Sequence, residues 1–159
     1  MNTEEYSMQE EEDQSPITFN TEDILFHLEQ PERVQHWIEA IIHNYSCTLN
    51  FVNFIFCSDD YLHKLNVQYL DHDTLTDIIT FPYTNLPNIE GDIFISIERI
   101  KENAIQFDVS FENELLRVII HGILHLCGFT DKTPEQKEAM HQKENEALAF
   151  YFANDYQIK

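Results

Sequence analysis

Eleven consecutive residues, His121 to Asp131 (HGILHLCGFTD), constrain this chain more than any other segment. Two histidines stand four apart in an apolar run, Gly128 follows the second, and Asp131 closes the segment. With 3.6 residues per helical turn, His121 and His125 project from one helix face, one above the other. Glycine is the residue that most readily ends a helix in the left-handed conformation and turns the chain back. That reversal lets a third side chain approach the same point in space. Two imidazoles and a carboxylate converging there would make a metal site with one position left open, the arrangement of catalytic zinc.

The spacing agrees with the metzincin zinc motif, whose ligands and glycine fall at the same intervals. Two features depart from a peptidase. The glutamate that follows the first histidine in HExxH is the general base for water; here that place is Gly122. The third ligand is Asp131 instead of a histidine, which zinc accepts. Two histidines and one carboxylate also describe the facial triad of non-haem iron enzymes, so another divalent metal stays open. A glycine inside a helix costs ~1 kcal/mol against alanine. Gly122 therefore marks a close approach, either beside the metal or between helix and strand.

Other candidates are weighed on the same helix geometry. Arg117 lies one turn before His121 and on its face. It either holds a phosphate near the metal or pairs with an acid. Cys127 points away from His125 and is expected in the core. His141 is expected to be solvated, Glu144 and Glu146 to form an exposed helix face, and His63 and His72 lack ligand spacing.

At 159 residues the chain suits one domain with a sizeable core. Six of its 29 acids lie in the first 14 residues. Residues 1–15 are therefore expected to be an acidic, disordered tail, followed by a single catalytic domain over 16–159. The net charge is −20, and still −14 without those six acids. A phosphate-gripping surface needs a basic patch, and only nine Lys and Arg are scattered along the chain. On this argument tight unaided nucleic-acid binding is not expected, a partner or a large assembly would have to supply the affinity, and DNA is not an expected partner. No apolar run reaches the ~20 residues of a membrane span, and the acidic N-terminus does not resemble a targeting peptide. A cytoplasmic location is expected. Cys47, Cys57 and Cys127 show no paired spacing and read as reduced core residues.

The periodicities predict an α+β fold with a small four-stranded mixed sheet and about five helices. ITFN near Ile17 reads as a strand. Pro31 opens a helix with Val34, Trp37, Ile38, Ile41 and Ile42 on one face. TLNFVNFIFC (48–57) is a buried strand, and Ser58, Asp59 and Asp60 start a helix with Leu62, Leu65 and Tyr69 inward. A polar loop over 71–77 leads to the strand IITF. A turn region, TNLPNIEGD, separates it from the strand IFIS in a loose hairpin. Ser96 caps a helix with Ile97, Ile100, Ala104 and Phe107 on one side. Residues 111–127 form the buried histidine helix, and Thr133, Pro134 and Gln136 cap a last helix.

Three blocks resemble the YbeY family. HGILHLCGFTD is similar to its motif HGxLHLxGYDH; LNVQYLDHDTLTDIITFP (65–82) is similar to LNxxYRxxDxPTDVLSFP; GDIFIS (91–96) matches the strand that follows. The resemblance spans roughly residues 17 to 155. It implies a metallopeptidase-like (zincin-like) α+β architecture without the HExxH base. It implies a cytoplasmic, single-strand-specific, metal-dependent endoribonuclease acting in ribosomal RNA maturation at the 3′ end of the small-subunit RNA, and in ribosome quality control. It implies one Zn2+ held by His121, His125 and Asp131, with the small ribosomal subunit and assembly factors as partners. The alternative is a non-catalytic ribosome-assembly or GTPase-binding factor with a structural metal. Three positions depart from the pattern: the last motif histidine is Asp131, the aspartate before it is Thr130, and the arginine of the YR pair is Leu70. A carboxylate ligand adds negative charge and makes a bound water less acidic. The missing arginine removes an expected phosphate contact, for which Arg117 or Lys64 would have to compensate.

Overall fold

A computed structural model describes residues 15–70 and 76–154. The expected acidic tail, apart from Ser15, lies outside the described residues, as do His72 and most of the 71–77 loop. Among these residues four strands and five helices follow one another in the order β1 (Ile17–Thr21), α1 (Pro31–Asn44), β2 (Thr48–Cys57), α2 (Asp59–Leu70), β3 (Ile78–Pro82), β4 (Asn88–Ser96), α3 (Ile97–Phe107), α4 (Phe111–Leu126) and α5 (Pro134–Ala153).

The strands form one sheet in the order β1-β2-β4-β3. β1, β2 and β4 run parallel, and β3 returns antiparallel along β4 as the edge. The α+β architecture with a mixed four-stranded sheet is thus the one the sequence predicts. β2 and β4 occupy the centre and alternate strictly: Val52, Phe54 and Phe56, with Ile93 and Ile95, enter the core. Each such side chain, fully buried, contributes ~1.5–3 kcal/mol from water exclusion.

The helices cover that face in two layers. α1 buries all five residues assigned to its apolar stripe, including Trp37. α4 lies against the sheet and is buried on nearly every side, from Leu115 to Leu126, which explains why its sequence lacks a polar face. α5 packs outside α4 through Met140, Glu144, Ala147, Leu148 and Tyr151. The Trp37 indole Nε1–H donates to the Ala147 carbonyl at 2.9 Å and ties α1 to α5. Caps match expectation: Ser96 opens α3, and Thr133 with Gln136 forms a complete capping box on α5.

The opposite face of the sheet is divided. α2 covers Cys57 and Ile79 with Leu62, and the uncovered part carries a ladder of polar side chains. There Thr18 donates to Asn53, Asn53 donates to Asp92, and Tyr83 donates to Asp92, joining β1, β2 and β4 to the residue that follows β3. This ladder accounts for one difference from the sequence reading. β4 begins at Asn88, not at IFIS, because Glu90 and Asp92 sit on a solvated face where polar residues are compatible with a strand. Two further residues assigned to inward faces stand outward instead. Phe107 and Tyr69 are exposed, although the Tyr69 ring meets Phe81 edge-on.

A candidate metal centre

α4 ends where the sequence requires. The Cys127 and Gly128 amides donate back to the last-turn carbonyls of Ile123 and His125, and Gly128 adopts φ 100°. The chain then turns back beside the helix and delivers Asp131. One ligand atom each from His121, His125 and Asp131 lies within 4.8 Å of the other two. His121 Nε2 is 3.0 Å from His125 Nε2. Asp131 Oδ2 is 3.4 Å from His121 Nε2, and Asp131 Oδ1 is 3.5 Å from His125 Nε2. All three side chains are partly buried.

The donor set fits a divalent cation. A tetrahedral ion with ligand bonds of about 2.0–2.1 Å spaces its ligands about 3.3 Å apart; the two histidine nitrogens stand 3.0 Å apart, and each has its own Asp131 oxygen at 3.4 or 3.5 Å. The proton inventory agrees. His121 Nδ1 lies 2.6 Å from Glu144 Oε2. A carboxylate only accepts, so Nδ1 carries the proton and Nε2 of the neutral ring is a lone pair. His125 turns Nε2 to the same point. Two imidazole nitrogens and a carboxylate converge there.

Electrostatics divides the two histidines. Burial alone pushes His121 down, but the hydrogen bond and charge of Glu144, with Asp131 and Asp77, outweigh it and hold His121 above its ordinary value. Burial and the neighbouring His121 charge push His125 below it. Asp77, which lines the same cleft, is raised chiefly by burial.

The three residues open onto a cleft of about 370 Å³ whose other walls include Leu70, Thr76 and Thr80. Edge strand β3 forms one rim. The Thr76 hydroxyl engages both edge-facing backbone groups of Ile78, donating to its carbonyl at 3.2 Å and accepting from its amide at 3.5 Å.

Arg117 stands behind His121 and outside the described lining of the cleft. Its guanidinium donates to Glu144 at 3.0 Å and to Asn145 at 2.7 Å. Lys64 pairs with Asp60 on an exposed stretch of α2. Cys127 is buried, and the Cys47 thiol donates to the Tyr45 carbonyl at 3.6 Å. His141 is largely exposed. Gly122 faces the sheet: an added Cβ would stand 2.9 Å from Ile78 Cδ1 and 3.1 Å from Ile93 Cδ1. Helix–strand packing, not space beside the metal, is the reason for this glycine.

One residue was misread. Glu144 was assigned to an exposed helix face, but it is 6% exposed and contacts His121 directly. The signal was present in the spacing. Met140, Glu144, Ala147, Leu148 and Tyr151 follow one helical stripe, and an acid in an otherwise apolar stripe requires a buried partner.

Residues 16–151 match the family model described as Endoribonuclease YbeY. The chain belongs to the YbeY endoribonuclease family. A YbeY endoribonuclease of Flavobacterium johnsoniae is 50% identical over 135 residues, covering 85% of this chain and 96% of the relative. One from Amoebophilus asiaticus is 49% identical over 130 residues, covering 81% and 88%. A solution structure of a Thermotoga maritima protein superimposes with a TM-score of 0.58 at 28% identity, covering 90% of this chain and 99% of that one. Leu70, which stands where the motif resemblance expects an arginine, lines the cleft. Membership of YbeY gives the chain an endoribonuclease, hydrolytic activity. Among the described residues, no helix is long and apolar enough to cross a membrane.

Proposed function

We propose that the chain is a zinc-dependent endoribonuclease that cuts single-stranded RNA in ribosomal RNA maturation, at the 3′ end of the small-subunit RNA, and in ribosome quality control. Residues 16–159 are its single catalytic domain behind an acidic tail, and it works in the cytoplasm. The observation that carries the reading is the convergence of His121 Nε2, His125 Nε2 and an Asp131 carboxylate oxygen on one point at the wall of an open cleft. This convergence occurs in a chain of the YbeY endoribonuclease family.

A divalent cation held by His121, His125 and Asp131 would supply a water of lowered pKa and a Lewis acid for a phosphate oxygen. The protein supplies the rest. His121 and His125 present lone pairs from successive turns of a helix held rigid by its own burial. Asp131 completes the set and adds negative charge, which draws a cation and raises the pKa of its water relative to a histidine ligand. Gly122 carries no carboxylate, so the water-activating base of the HExxH peptidases is absent from this helix. With a net charge of −20, the affinity for RNA comes from the ribosomal particle and its proteins, with assembly factors as further partners.

The test begins with elemental analysis of protein isolated without added metal, then cleavage of small-subunit RNA within ribosomal particles. The expected result is about one zinc per chain and loss of cleavage in His121→Ala. A metal-free protein whose cleavage survives that substitution would overturn the reading. A folded His125→Ala variant that still supports ribosome maturation would point instead to a non-catalytic assembly factor, which the endoribonuclease family does not favour.

A further inference from the structure

Two glutamates are buried among the described residues, Glu114 and Glu144. Glu144 reaches a metal-site side chain from outside the motif. Its two oxygens have separate tasks: Oε2 accepts from His121 Nδ1 at 2.6 Å, and Oε1 accepts from Arg117 Nη1 at 3.0 Å. Arg117 and His121 are four apart on α4, so guanidinium and imidazole share one face and grip the same α5 carboxylate between them. Asn145 accepts from the other Arg117 nitrogen and fixes the guanidinium plane.

A structural ion pair would need only Arg117. The short bond to His121 has a different consequence. Imidazole is a metal ligand through whichever nitrogen lacks the proton, and the partner of the other nitrogen decides which one that is. Here the choice matters geometrically, because Nε2 is the atom 3.0 Å from His125 Nε2 and 3.4 Å from Asp131 Oδ2. With the proton on Nε2, one of the three converging atoms would no longer be a donor.

We propose that Glu144 is a positioning residue of the metal centre: its carboxylate fixes the ring orientation and tautomer of His121, and Arg117 holds that carboxylate in place instead of contacting substrate. The proposal rests on His121, His125 and Asp131 being metal ligands. A site described by its three ligands would leave out this fourth residue, which lies 23 positions from His121 on a different helix.

Three forms of the full chain test it: wild type, Glu144→Gln and Glu144→Ala. Zinc affinity is measured by competition with a chromophoric chelator. The His121 tautomer is read in the metal-free protein from long-range proton–nitrogen NMR, and folding is followed by circular dichroism. The expected wild type binds one zinc and carries the neutral His121 proton on Nδ1. Glu144→Ala binds zinc roughly 10–100-fold more weakly and shows mixed tautomers. Glu144→Gln recovers most of the affinity, because the amide oxygen still accepts from Nδ1.

Unchanged zinc affinity in a folded Glu144→Ala would overturn the proposal while leaving the metal reading intact. If that variant fails to fold, a wild-type His121 protonated on Nε2, or a Glu144→Gln no better than chelator-stripped His121→Ala, overturns it equally. A wild type that takes up no zinc overturns the metal reading and this proposal together.

Discussion

Gly122 on α4 lies so close to Ile78 on the edge strand β3 that an added methyl carbon would stand 2.9 Å from Ile78 Cδ1. The contact draws the histidine helix onto the strand that rims the cleft, so packing at Gly122 sets how the ligands meet the cleft wall. Alanine here brings opposing effects: a helix-propensity gain of ~1 kcal/mol against a displaced isoleucine end. Valine has no such compensation. Gly122→Val is expected to lose about 1–3 kcal/mol of stability from overpacking, read by denaturant unfolding, and to weaken zinc binding in the same protein. A variant with wild-type stability would show that the helix and strand have room to part.

Gly128 is constrained by backbone conformation as well as by space. Its φ is 100°, and an added Cβ would stand 2.7 Å from Leu86 Cδ1. Gly128→Ala should cost about 1–3 kcal/mol. It should also move Asp131 away from the histidines, so zinc affinity falls further than for an equally destabilising change on α1. Chelator competition on stability-matched variants checks this.

Glu114 offers a pH test remote from the metal ligands. Burial first, then the Asp77 charge, raises its carboxyl above the ordinary value of 4.5. A carboxyl raised in the folded state favours folding while protonated, below its unfolded pKa, and loses that advantage as pH rises through the folded one. Glu114→Gln should therefore melt higher than wild type at neutral pH. The gap should close as the pH falls toward about 4, where both side chains are neutral. Thermal melts across that range decide it, and a gap that widens on acidification would contradict the burial argument.

The cysteines predict a reactivity pattern. Burial pushes both Cys57 and Cys127 up to about 12, so almost no thiolate exists at pH values near 8. In the native protein an aromatic disulfide reagent should label at most the half-buried Cys47. In denaturant it should label all three thiols. Rapid native labelling of Cys57 would mean that α2 opens readily from the sheet.

Local chemistry made most of the fold legible. Ser96 and the Thr133–Gln136 capping box mark helix starts through hydrogen bonds made within a few residues, and Pro31 marks one through its fixed φ at the first helical turn. The alternation in TLNFVNFIFC survives because β2 buries Val52, Phe54 and Phe56 on one face while Asn53 and Ile55 stay half-exposed on the other. The start of β4 was not legible, since Glu90 is stabilised by Asn50 and Asp92 by Asn53, neighbours on another strand. The site divides in the same way. The converging trio of His121, His125 and Asp131 was visible because one helix turn and one glycine bring the residues together. The apolar stripe of α5 signals that Glu144 is buried, but its partner His121 was not legible, because that contact depends on how α5 is laid across α4.

The three converging donors come from eleven consecutive residues. A cation bound there would close a loop so short that it removes little chain entropy, and it would join no two distant parts of the sheet. Chelation should thus leave the domain folded. The long-range tie at this end of the molecule is made by protein alone, through the Glu144 carboxylate reaching from α5 to α4. A cation taken up there would come and go on a scaffold built without it.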